Sequence, residues 1–173
     1  DINSEYYASI MRKAPSDCEG SSCLDLFVWI QYDDEPGLVV STGSSSDECS
    51  HGVIPIDIYN GWHNYAITIE ATSSTTGLKK IWLDGELIQS CNYTENAPEN
   101  NNDLIFGFNQ LHMDAVDYLD NISIWDKIMT EDQIQDAFLL DINNADDNLI
   151  GYWKFNSGSG DILYDHSGNQ NHG

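Results

Sequence analysis

Asp165 opens the turn-rich run Tyr164–Gly173, YDHSGNQNHG, with Ser167, Asn169 and Asn171 close behind it. Carboxylate, hydroxyl and amide oxygens at such short spacing are hard donors of the kind calcium takes. The same residues also make Asx turns, in which Asp165 and Asn169 accept hydrogen bonds only from nearby backbone amides. Both readings stand at this stage. Carboxylates abound elsewhere too, so a glycosidase-like acid/base pair is not excluded by counting. The spacing, however, singles out no such pair: Glu70 stands alone on its run, and Asp117 and Asp120 lie three apart. No GxSxG elbow, HExxH pair or phosphate-cradling glycine loop occurs. The chain is read as a non-enzyme with no catalytic residues.

Charge narrows the partners. Six Lys and Arg stand against 29 Asp and Glu in 173 residues, a formal charge of −23. A surface this negative repels phosphate backbones, so nucleic acid is excluded as a partner. It suits a salty medium and attracts divalent cations. No apolar run approaches the roughly 18–20 residues of a membrane helix, so no membrane insertion is expected.

Four cysteines, Cys18, Cys23, Cys49 and Cys91, form no CxxC pair and have no histidine at zinc-like spacing. An even count in an acidic, strand-rich chain indicates two disulfides and an oxidising compartment. Three connectivities are open; Cys18–Cys23 with Cys49–Cys91 is the preferred one. Sequons at Asn92-Tyr93-Thr94 and Asn121-Ile122-Ser123 agree with an extracellular, secreted or cell-surface location. Beginning at Asp1 without a signal peptide, the sequence reads as a processed or excised segment.

The elements that must carry these residues are mostly strands. Leu24–Tyr32, Gly37–Ser41, Val53–Tyr59, Trp62–Ala71, Leu78–Leu83, Glu86–Ser90, Leu104–Phe108, Ala115–Trp125 and Leu149–Phe155 read as β, punctuated by turn-rich loops. Within Trp62–Ala71, Tyr65, Ile67 and Ile69 alternate with Ala66, Thr68 and Glu70. Asp84-Gly85 predicts a tight hairpin. One helix is expected near residues 130–140: Thr130 and Gln133 make a capping box, and Ile134, Ala137 and Phe138 an apolar stripe. The fold class is all-β, an antiparallel sandwich of jelly-roll type with one short helix, in a single domain over 1–173. Trp29, Trp62, Trp82, Trp125 and Trp153 fall in or at the start of strands and are assigned to the core. His63 is read as a packed or edge histidine, and Tyr32 and Tyr59 as the exposed aromatics open to a ligand.

Three segments together resemble the laminin-G-like, concanavalin-A-like jelly-roll family, in its bacterial and pentraxin-like branch. They are Gly61–Ile69 with Ile81–Ile88, GWHNYAITI and IWLDGELI; Tyr118–Phe138; and Leu149–Gly173. Residues before about Leu24 match poorly. The resemblance implies a recognition module for glycans or cell-surface ligands, without naming the ligand-binding residues. Its glucanase members resemble a strand with closely alternating acids, a pattern missing here. It also implies that Leu149–Phe155, similar to the family's opening strand but displaced to the C-terminus, lies beside Tyr118–Trp125. That would bring Asp120 near Asp165 and Asn169 as a shared calcium set. The displaced strand closes its own sheet, begins a tandem repeat, or completes a neighbouring chain. In the last case the chain would be a self-assembling subunit of a filament, sheath or adhesin.

Overall fold

The computed structural model describes residues 7–13, 24–31, 37–43, 48–51, 61–94, 101–107, 113–115, 118–139, 142 and 146–173. The chain divides into two compact units, Asp1–Val116 and Asp117–Gly173.

The first unit holds two sheets. One contains β1 (Tyr7–Lys13), β2 (Leu24–Gln31), β3 (Gly37–Gly43), β4 (Cys49–His51), β8 (Leu104–Phe106) and β9 (Met113–Ala115). Its order is β4-β3-β2-β1-β8, and β9 also pairs with β1. The other is the three-stranded meander of β5 (Tyr65–Ala71), β6 (Gly77–Leu83) and β7 (Glu86–Tyr93). All these ladders are antiparallel except β1 with β9, which run parallel. The expected all-β sandwich with one short helix is what the chain forms.

Alternation builds the core. Val28, Leu38 and Val40 from the large sheet meet Ile81 from the meander, with Tyr65, Ile67, Leu83 and Ile88 packed against them. These positions recur at every second residue, the period that puts side chains on one face of a strand. Cys49 on β4 and Cys91 on β7 lie against the same cluster and are joined, Cα–Cα 5.7 Å, so the disulfide ties the two sheets together. Gln89 Nε2 adds a hydrogen bond to the Ser50 carbonyl, 2.9 Å. Of the preferred connectivity, Cys49–Cys91 is formed; Cys18 and Cys23 lie outside the described residues.

Three expectations about elements need correction or completion. β1 has no counterpart among the strands expected from sequence, yet it pairs with β2, β8 and β9. Its sequence, YASIMRK, ends in two cations and lacks the uniform apolar character of a buried strand. The single long strand expected over Ala115–Trp125 is broken: β9 stops at Ala115, and β10 (Ile122–Trp125) starts afresh. Asn121 sits at φ 52°, and its N–H bonds the Asp120 carboxylate at 2.8 Å, a local partner that replaces a ladder bond. Val53–Tyr59 lies outside the described residues.

The second unit pairs β10 antiparallel with β11 (Leu149–Trp153), Ile122 opposite Trp153 and Ile124 opposite Gly151. Between them runs α1 (Glu131–Leu139). Its capping box forms in both directions: Thr130 N–H to Gln133 Oε1 at 3.0 Å and Gln133 N–H to Thr130 Oγ1 at 3.3 Å. Glu131 and Asp132 occupy the first turn, where carboxylates meet the positive end of the helix dipole. Of the expected stripe, Ile134 is buried and Ala137 half-buried, while Phe138 is exposed.

Candidate functional site

Two local constructions carry the residues singled out above, one in each unit. In the first unit the hairpin between β6 and β7 turns at Asp84 and Gly85, both at positive φ (50° and 84°), as a type I′ turn requires. The turn reaches back to the chain entering β5. Asp84 Oδ1 accepts the Asn64 N–H at 2.8 Å, Oδ2 lies 2.8 Å from His63 Nδ1, and Asp84 N–H donates to the Asn64 carbonyl at 2.9 Å. One carboxylate thereby fixes both residues that follow Trp62. His63 is half-buried, an edge histidine as expected.

Trp62 itself is 68% exposed. It was expected in the core with the other four tryptophans, and this is a correction. Leaving that much indole in water forgoes burial worth on the order of 3 kcal/mol. The signal was present in the alternation: counted back from β5, Trp62 shares parity with Ala66, Thr68 and Glu70, the polar side. Trp82 and Trp153 are buried and Trp125 is half-buried. Tyr32 and Tyr59 lie outside the described residues, as does the side chain of Trp29.

In the second unit Asp165 is a hub. Its Oδ1 accepts the N–H of Tyr152 at 2.9 Å and of Ser167 at 2.8 Å; its Oδ2 accepts Ser167 Oγ–H at 2.8 Å and the N–H of Asn171 at 3.0 Å. Burial of Asp165 would raise its carboxyl, but these donors outweigh that and hold it below the ordinary aspartate value. Asp165 N–H in turn donates to His172 Nδ1 at 3.0 Å, and the His172 ring stands edge-on to Tyr164. Asn169 donates its amide to the carbonyls of Leu149 and Ile150, Asn171 donates its own to Ile150, and Trp153 Nε1–H donates to the Asn171 carbonyl. The loop is thus sewn onto β11 on both sides.

Asp120 is exposed beside Asn121, whose Oδ1 accepts the Tyr152 hydroxyl at 3.1 Å. Tyr152 therefore touches the Asp120–Asn121 turn through its hydroxyl and Asp165 through its N–H. A second pin closes the far end of the β10–β11 pair. Lys127 bonds Asp146, and the Lys127 ammonium lies 4.9 Å from the Trp125 ring centroid. The hydrogen bond from Lys127, with those from the Asn148 side chain and backbone, lowers the Asp146 carboxyl to about 2. Asn92 and Asn121, the two sequon asparagines, are both exposed. Among the described residues no three His, Cys, Asp or Glu side chains converge as a metal cluster.

The model of the concanavalin A-like lectin/glucanases superfamily, in its laminin-G-like form, matches residues 4–135. The chain belongs to that family. No curated protein and no solved structure matches it. As a laminin-G-like, concanavalin-A-like domain it is a carbohydrate- or ligand-binding module in the general sense of its superfamily. Its Gly61–Ile69 and Ile81–Ile88 segments, the first of the three that carry the resemblance, are tied together by the Asp84 carboxylate. No described helix is long and apolar enough to cross a membrane.

Proposed function

We propose that this laminin-G-like domain is a non-catalytic, extracellular recognition module that binds glycans or cell-surface ligands, with Trp62 as its stacking platform. The observation that carries the reading is the exposed indole on a backbone pinned at His63 and Asn64 by Asp84. A flat apolar face carried on a pinned backbone suits a saccharide ring, whose C–H face is apolar and whose rim is polar. Little backbone freedom is then lost on binding. The inter-sheet disulfide supports an oxidising, extracellular setting. A glycan array probed with the wild type and with Trp62→Ala tests it. Saccharide binding that Trp62→Ala abolishes at unchanged melting temperature supports the proposal, and binding indifferent to Trp62 sinks it.

Calcium assistance through Asp120, Asp165 and Asn169 belongs to the same proposal and has a competitor on the same atoms. Asp165 already takes four N–H and O–H donors. A cation on Asp165 must displace some of those donors, so a calcium-bound loop and the present loop are alternative states.

A second reading has its own observation. Most large apolar side chains exposed on the described surface lie in the second unit, Tyr118, Leu139, Ile150, Ile162 and Tyr164 among them. Exposed apolar side chains in such number favour association. β11 is held to β10 by a four-pair ladder, and exchange of that strand between copies would build a filament, sheath or adhesin stalk. Light scattering over a range of concentrations, with and without deletion of 149–173, tests it: a concentration-independent monomer removes this reading.

A further inference from the structure

None of the six basic residues of the chain is fully exposed. Arg12 is 4% exposed and Lys79 is fully buried, while Lys13, Lys80, Lys127 and Lys154 are half-buried. Three of the six cover aromatic rings: Lys79 over Tyr93 at 5.4 Å, Lys127 over Trp125 at 4.9 Å and Lys154 over Tyr152 at 5.2 Å. Lys127 is in addition committed to Asp146. The acidic residues that face solvent, among those described, have no fully exposed Lys or Arg beside them to compensate.

We infer that the ligand taken at Trp62 carries no anionic groups and is a neutral or amine-bearing saccharide. The inference rests on the recognition reading above and narrows its ligand. Sulfate, carboxylate and phosphate groups are held by cations with free donors, above all the forked guanidinium of Arg. Here the only Arg is buried. An anionic glycan approaching Trp62 meets the field of a chain of formal charge −23, with Glu70 and Glu86 exposed in the meander that bears the platform. Like charge there lowers both encounter rate and affinity. A neutral ring loses nothing to that field, and an amine-bearing one gains from it.

The test is titration of the whole chain with five probes: cellohexaose, chitohexaose, fully deacetylated chitohexaose, 3′-sialyllactose and a heparin hexasaccharide. Each is measured at about 20 and 300 mM NaCl, a range over which surface electrostatics are progressively screened. The expected result is binding confined to the first three. Affinity for the neutral probes would not change with salt, and that for the deacetylated one would fall severalfold as salt rises. Glu70→Lys with Glu86→Lys, both at exposed sites, would weaken the deacetylated probe at low salt and leave the neutral ones alone. Heparin or sialyllactose bound at 300 mM NaCl through Trp62 would overturn the inference while leaving the recognition reading standing. No binding by any probe, in a chain whose melting transition is intact, would remove both.

Discussion

His63 Nδ1 and Asp84 Oδ2 stand 2.8 Å apart across 21 residues of chain, joining the start of β5 to the β6–β7 turn. The contact explains why a Trp-His pair and an Asp-Gly turn occur as one pattern: the turn carboxylate is the anchor for the residues behind the tryptophan. Replacing it separates stability from recognition. Asp84→Ala removes the acceptor of both contacts and places a residue without a stabilising side-chain bond at φ 50°. A loss of about 2–3 kcal/mol in chemical unfolding is expected. Asp84→Asn, which keeps an acceptor and tolerates positive φ, should lose less. Equal losses in the two would contradict the anchoring role.

Gly151 on β11 leaves room for the Trp153 ring. A Cβ at Gly151 would fall 2.3 Å from Trp153 Cη2, so the indole must move. Gly151→Ala is expected to destabilise by about 1–3 kcal/mol, the range for forced overpacking. Combining it with Trp153→Leu should cost less than the sum of the two single changes, because the clash and the large ring vanish together. Strict additivity in a double-mutant cycle would refute the contact.

The Asp165 hub gives a pH dependence of known sign. Its folded carboxyl is held below the ordinary aspartate value of about 3.9. The stabilisation is therefore complete above that value and is lost as pH falls through the lower folded one. Asp146, lowered to about 2, acts in the same direction over roughly pH 4 to 2. Protonating the many exposed acids relieves repulsion and works the other way, so the informative quantity is a difference. The gap in stability between wild type and Asp165→Asn should be largest at neutral pH, about 1–3 kcal/mol, and close in acid. A gap independent of pH would show that the ionised carboxylate is not what holds the loop.

The inter-sheet disulfide closes a stretch with sequence separation 42. Loop-closure entropy makes such a crosslink worth about 4 kcal/mol. Cys49→Ser with Cys91→Ser should lower the unfolding midpoint accordingly, and non-reducing peptide mapping should recover the two cysteines in one linked species. A variant as stable as the wild type would mean that the packed core alone fastens the sheets.

For calcium, the hydrogen-bonded loop is taken as the resident state. Calcium and magnesium, matched in ionic strength, should then raise the melting temperature alike, by screening a highly charged surface. A calcium-specific rise that disappears in Asp120→Asn would assign the loop to a cation instead.

Local signals were the legible part of this protein. Alternation located most of the strands, Asp84-Gly85 the hairpin, and Thr130 with Gln133 the helix start, because each depends on neighbours within a few residues. β1 escaped because Arg12 and Lys13 break its apolar pattern while its pairing partners lie far along the chain. In Ala115–Trp125 the apolar and aromatic alternation masks the turn signal of Asp120-Asn121, although Asn takes positive φ more readily than other side-chain-bearing residues.

Taken by itself the sequence settled the fold class, the helix, the acidic surface and the set of chemical groups at hand. Only the tertiary structure decided where those groups went. It turned Trp62 outward and buried Lys79; it joined Cys49 to Cys91 across 42 positions and gave Asp165 a donor 13 residues away. The reason is physical: strand period, turn and cap depend on short-range sterics and hydrogen bonds. Exposure and pairing depend on which distant segment arrives at the same place, and only the packing of the two sheets and the closing of the loop on β11 determine that.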